Sequence, residues 1–168
     1  MTMPEVHRGE LLHTEQAEAL GSAELQFQKV LVDFNRLRLE TGEPPIVTPY
    51  VERRGGIPQP IITFQFPKNR FDRFIRQVSA AFIQADTGGQ NLLEVSARAY
   101  QVTTEPDDGY DDMYKGKEQY KNEVVGRFPS DADGEIIQQV LVDALTKVFS
   151  WSERDLNEER TFGFASIS

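Results

Sequence analysis

An α+β domain with a largely antiparallel sheet is the fold class this sequence predicts, and three observations carry it. Apolar residues recur at helical spacing in three separate stretches. Two pairs of strand-like segments are each joined by a connection that reads as a hairpin loop. The order α, hairpin, α, hairpin, α, β lacks the regular strand–helix alternation of a parallel sheet, and no repeat, long linker or second core interrupts it. The expected organisation is an extended N-terminal arm over residues 1–13 and one domain over 14–168, with three amphipathic helices on the sheet and an acidic hairpin loop at 105–118.

The first helix follows the arm. Leu20, Phe27, Val30, Leu31, Phe34 and Leu37 recur at threes and fours as one stripe. Gly21-Ser22 can cap or kink it, with Ser22 placed as an N-cap. At the other end Gly42 suits a left-handed cap, and Pro44-Pro45 cannot continue a helix.

A hairpin comes next. Residues 46–53 and 57–66 flank Arg54-Gly55-Gly56, and Ile62, Phe64 and Phe66 line one side of the second strand. Pro49, Pro58 and Pro60 remove ladder donors and mark a sheet edge or a projecting element.

The second helix is read over residues 67–89, with Phe71, Phe74, Ile75, Val78, Phe82 and Ala85 inward. Asn69 is its N-cap, and Gly88-Gly89 stop it.

Residues 91–104 then alternate. Leu93, Val95, Ala97 and Ala99 lie on one side, Glu94, Ser96, Arg98 and Tyr100 on the other, as in a half-buried strand. Residues 123–128 read as its returning partner. The third helix, within 130–151, has the widest apolar face: Ile136, Ile137, Val140, Leu141, Ala144, Leu145 and Val148, capped by Asp131 or Asp133. A last strand runs over 160–168 with Phe162 and Phe164.

Composition narrows the function. A chain of 168 residues has the size of one domain. It contains no cysteine, which removes disulfides, thiolate metal sites and cysteine nucleophiles and fits a reducing compartment. No signal-like apolar run opens the chain and no membrane-length apolar stretch follows, so the expectation is a cytoplasmic protein, or a virion protein if the source is viral, with no membrane partner.

The formal net charge of −9 disfavours non-specific attraction to nucleic acid. The charge is uneven, however. Residues 46–80 hold six bases (Arg53, Arg54, Lys68, Arg70, Arg73, Arg76) against two acids, a local +4. Residues 105–123 hold seven acids against three lysines, a local −4.

The acidic run invites a metal reading, and spacing argues against it. Setting Gly109 at the glycine of a calcium loop puts Thr104, Pro106 and Lys115 at ligand positions, where none of them serves. Asp107, Asp108, Asp111 and Asp112 are therefore read as an acidic interaction loop, with no metal and no cofactor. A nuclease reading of Pro106-Asp107 with Glu118 to Lys121 fails as well, because the spacing is one residue too long and turns the lysine to the wrong side of a strand. The two histidines, His7 and His13, lie in the arm, and no nucleophile elbow, phosphate loop, dinucleotide fingerprint or zinc-protease motif is present. No catalytic residue is assigned.

The basic segment carries the other expectation. Spaced by three on the expected helix, Arg70, Arg73 and Arg76 form a stripe, joined by Lys68, Arg53 and Arg54 as an anion- or partner-binding face, with Arg98 as a further member. Lys68 and Arg70 in a first turn oppose the helix dipole, so an acidic partner or a phosphate would give them a purpose.

Two functions follow. The first is a non-enzymatic structural or adaptor subunit working by protein–protein assembly, as a homo- or hetero-oligomer. Small subunits of phage tails or necks share this build as an analogy of shape, and an acidic inhibitor that mimics nucleic acid belongs to the same class. The alternative is an anion, nucleotide or nucleic-acid binding protein, or a phosphoester-processing enzyme, using the basic face. The sequence favours assembly.

Overall fold

The computed structural model describes residues 5–46, 49–54, 60–66, 74–86, 89–106 and 113–165. Helix α1 spans Glu5–Glu40, and helix α2 spans Gly134–Ser150. Six strands lie between and after them: β1 Tyr50–Arg54, β2 Ile61–Phe66, β3 Ile75–Ile83, β4 Leu92–Pro106, β5 Met113–Pro129 and β6 Glu158–Ala165. They form one antiparallel meander in the order β1-β2-β3-β4-β5-β6. Both helices pack on the same side of this sheet. The other side is uncovered by any helix among the described residues.

Two expectations are corrected by this layout. Within the segment read as a second helix, Ile75–Ile83 is β3, a central strand paired with β2 on one side and β4 on the other. Its apolar residues satisfy both periods: Val78 and Phe82 fit a helical spacing, but with Ala80 between them they also alternate every second residue. Two ladders of partners, which no local pattern reveals, decide for the strand. The expected cap Asn69 lies outside the described residues. The other correction is at the start, where α1 is already helical from Glu5, inside the expected extended arm. Gly21 sits within this helix without breaking it, and Ser22 does not cap it.

The remaining elements follow the sequence more closely. Gly42 closes α1 at φ +77, with the amides of Gly42 and Glu43 donating to Leu39 and Arg38 carbonyls. The first hairpin pairs Arg54 with Ile61, so β2 begins four residues later than the pattern suggested. The second hairpin is longer than expected, since β5 takes in residues 113–118 of the expected acidic loop.

The core lies between helices and sheet. From the sheet come Ile62, Phe64, Val78, Ala80, Phe82, Leu93, Val95 and Ala97; from the helices, Ala23, Phe27, Val30, Ile137, Leu141, Leu145 and Val148. Phe27 of α1 stacks on Phe64 of β2 with ring centres 3.8 Å apart, and Phe66 meets Phe149 of α2 edge-on at 5.1 Å. Full burial of one such ring is worth about 1.5–3 kcal/mol. Leu37 and Ile136, expected on the inward stripes, are exposed instead.

One irregularity matters for the open side. Val95 faces Gly126 while the next residue, Ser96, faces Val124, so Val125 is an extra residue in β5. This bulge reverses which side the odd-numbered residues face. Beyond it Gly126 and Phe128 point to the helices; before it Glu118, Tyr120 and Asn122 point to the open side. Gly126 packs closely there: a Cβ at this position would lie 3.0 Å from Val140 Cγ1 of α2, which would have to give way.

Candidate functional site

Of the expected basic face, Arg53, Arg54 and Arg76 are among the described residues, and these three do not lie together. Arg53 leaves β1 toward the helices and pairs with Glu24 of α1. Arg54 leaves on the opposite side and bonds Glu52 of its own strand at 2.9 Å. Arg76 points to the helix side of β3. Its guanidinium donates to the carbonyls of Val148 and Trp151 at the end of α2, 3.3 and 3.4 Å away, and lies over the rings of Phe74 and Phe149. A cation over the last carbonyls of a helix is a capping arrangement. Lys68, Arg70 and Arg73 lie outside the described residues, as do Asp107, Asp108, Asp111 and Asp112. Among the described residues no cluster of three or more histidine or acidic side chains is arranged to hold a metal.

What the fold does assemble is the open side of the sheet. It forms a concavity of about 600 Å³ lined from β1 through β5 by Arg54, Thr63, Gln65, Gln77, Ser79, Ser96, Arg98, Tyr100 and Asn122, with Glu52 and Glu94 among them. Strand alternation puts these residues there: each is paired across the sheet with another outward residue, as Thr63 is with Ser79, and Ser79 with Ser96. Side chains bond along these pairs. Thr63 and Ser79 hydroxyls are 3.2 Å apart, and the Gln77 amide donates to Gln65 at 2.9 Å.

Arg98 is the centre of this surface. Its side chain runs over the cross-strand pair Tyr100 and Tyr120, 4.7 and 5.6 Å from their ring centres, and donates to Glu118 Oε1 at 2.5 Å. The second oxygen of Glu118 faces the guanidinium of Arg160 on β6. Glu118 is thus held between two arginines, its side chain 4% exposed on a face that no helix among the described residues covers. Burial raises the Tyr100 phenol above its ordinary pKa, with Arg98 opposing and Glu118 reinforcing the shift. A hydrogen bond to Glu158 raises Tyr120 as well. Both phenols therefore stay protonated at neutral pH and remain hydrogen-bond donors.

Part of this site was readable beforehand. Glu94, Ser96, Arg98 and Tyr100 form the polar side of the alternating strand β4. Thr63, Gln65, Gln77 and Ser79 carry no motif, and Ser79 was hidden by the helical reading of β3. Glu118 and Tyr120 looked like members of a solvated acidic run; only the bulge and the register show that they turn toward Arg98.

Comparison with protein-family models, with the curated proteins and with solved structures finds no match to the chain. No helix among the described residues is long and apolar enough to cross a membrane.

Proposed function

We propose that the protein is a structural or adaptor subunit that seats a protein partner on the open face of its sheet. The observation that carries this reading is the prior ordering of that face. The Thr63–Ser79, Gln65–Gln77 and Arg98–Glu118 contacts hold the side chains in place before any partner arrives, which lowers the entropic cost of docking. Tyrosine and arginine dominate the energetics of protein interfaces, while small hydroxyl and amide side chains supply adaptable hydrogen bonds.

Charge favours a protein over a nucleic acid. Arg54, Arg98, Arg127 and Arg160 on this side are each paired with one of the acids Glu52, Glu94 and Glu118. A phosphate backbone needs an uncompensated basic surface. A virion subunit of tail or neck type is one setting for such a module, and an acidic inhibitor is another.

Blocking the face tests the reading. Ser79→Arg places a bulky cation in the middle of the concavity, and Arg98→Ala with Tyr100→Ala removes its centre. The wild type, captured from its native source, should bring down a defined protein partner in fixed stoichiometry by native mass spectrometry, and both folded variants should lose it. Retention of that partner by both variants would sink the open-face reading.

A further inference from the structure

A different side of the molecule, the β1 edge, points to contact between two copies of the chain. Strand β1 ends the sheet, no described strand pairs with its outer side, and all five of its residues are exposed. Charged residues on an edge strand ordinarily discourage pairing. Here their order matters. Glu52 and Arg54 lie two apart and project to the same side, the open one, while Arg53 between them projects toward the helices.

We infer that a second copy docks antiparallel along β1 about a twofold axis through Arg53, so that the two sheets continue as one. Residues facing each other across an antiparallel pair share a side of the sheet. In this register Glu52 of each copy faces Arg54 of the other, which gives two reciprocal opposite-charge pairs. The intrastrand Arg54–Glu52 bond is exchanged for these cross-copy bonds. A shift of the sum of paired positions by two would instead oppose Glu52 to Glu52, so the charges select one register. The two Arg53 side chains meet on the helix side, each already neutralised by Glu24 of its own chain.

The helix beside this edge also carries exposed apolar residues. Leu25, Val32 and Leu39 of α1 are 51%, 69% and 63% exposed and recur every seven residues, which places them in one stripe. The side of α1 next to that stripe is tied to the β1 region by Glu24–Arg53, by the Asn35 amide donating to Ile46, and by Arg38 donating to Pro44. Helical spacing sets this stripe opposite the buried Ala19, Ala23, Phe27 and Val30, so it faces away from the sheet. Val51, also exposed, projects to the helix side of the strand. The register therefore rests on the charges of β1. This inference stands apart from the open-face reading, since either contact can fail while the other holds.

A charge-exchange experiment on the full chain tests it. By sedimentation equilibrium the wild type should dimerise, and Glu52→Arg and Arg54→Glu should each weaken the dimer about ten-fold or more, because each turns both cross-copy pairs repulsive. Mixing the two single variants should restore a one-to-one heterodimer, and the double exchange Glu52→Arg with Arg54→Glu should restore the homodimer. Circular dichroism checks that every variant is folded. A wild type that stays monomeric up to about 1 mM overturns the inference. So does a dimer indifferent to both charge changes, or a mixture of the single variants that fails to pair.

Discussion

Arg98 and Glu118, twenty residues apart and on neighbouring strands, meet at 2.5 Å across the rings of two tyrosines. The carboxylate is buried, so the contact is more than a surface ion pair. Removing one partner of a buried pair leaves an uncompensated charge, whereas removing both leaves apolar surface. Arg98→Met alone should cost up to about 3 kcal/mol in denaturant unfolding, and adding Glu118→Leu should recover part of that loss. Strictly additive effects would show that the two side chains are not coupled.

Arg76 yields a prediction opposite to the one its sequence setting suggests. As a member of an exposed stripe it would be replaceable without harm. As the cation over the C-terminal carbonyls of α2 and the Phe149 ring, its loss should destabilise the fold. Arg76→Leu should lower stability by about 1–2 kcal/mol, read as a shift of the denaturant midpoint with the slope unchanged. An unchanged midpoint would return Arg76 to the surface.

Gly126 offers a test of the bulge and its packing. Gly126→Val sets a branched side chain against Val140 and should cost about 1–3 kcal/mol through overpacking. Val140→Ala in the same chain should relieve most of that cost by opening the space. The measurement is thermal unfolding of the two single variants and the double.

The tyrosine pair predicts behaviour at alkaline pH. Tyr100 and Tyr120 both titrate above 10.0 in the folded state, so the stability their neutral forms provide is complete below that pH. It is lost as pH rises through the folded values, because only the unfolded chain releases those protons readily. Spectrophotometric titration of phenolate should show two late-ionising tyrosines, and Tyr100→Phe or Tyr120→Phe should each remove one. At the acid end, the Ser152 amide lowers the Asp155 carboxyl below 3.8. Its contribution is therefore present above that pH and lost as pH falls through the folded value, and Asp155→Asn should abolish this acid-side dependence.

The fold was legible where one pattern was self-sufficient and illegible where partners decided. Helix α2 announces itself because Ile137, Leu141, Ala144, Leu145 and Val148 have no strand reading. Residues 75–83 fit two periods, and the choice was made by β2 and β4, which lie elsewhere in the chain. For the site, the polar side of β4 was visible in its alternation, but Glu118 was not. A carboxylate in an acidic run looks solvated until an extra residue, Val125, turns it toward two arginines. Arg76 was misplaced for the same reason, since its ligands are backbone carbonyls that no side-chain pattern encodes.

The second hairpin is sensitive to length parity, and the bulge at Val125 is its slack residue. Deleting Val125 would leave Val124 opposite Ser96 and Gly126 opposite Val95, so Glu118 and Tyr120 would keep their side of the sheet. Deleting Lys121 with the bulge retained would instead bring Lys117 and Gln119 to the open side in their place. Substitutions along this arm act one position at a time, whereas a single-residue insertion or deletion between its bulge and its tip rewrites a whole surface. Drift in this hairpin is therefore channelled into side-chain identity or into paired changes of length.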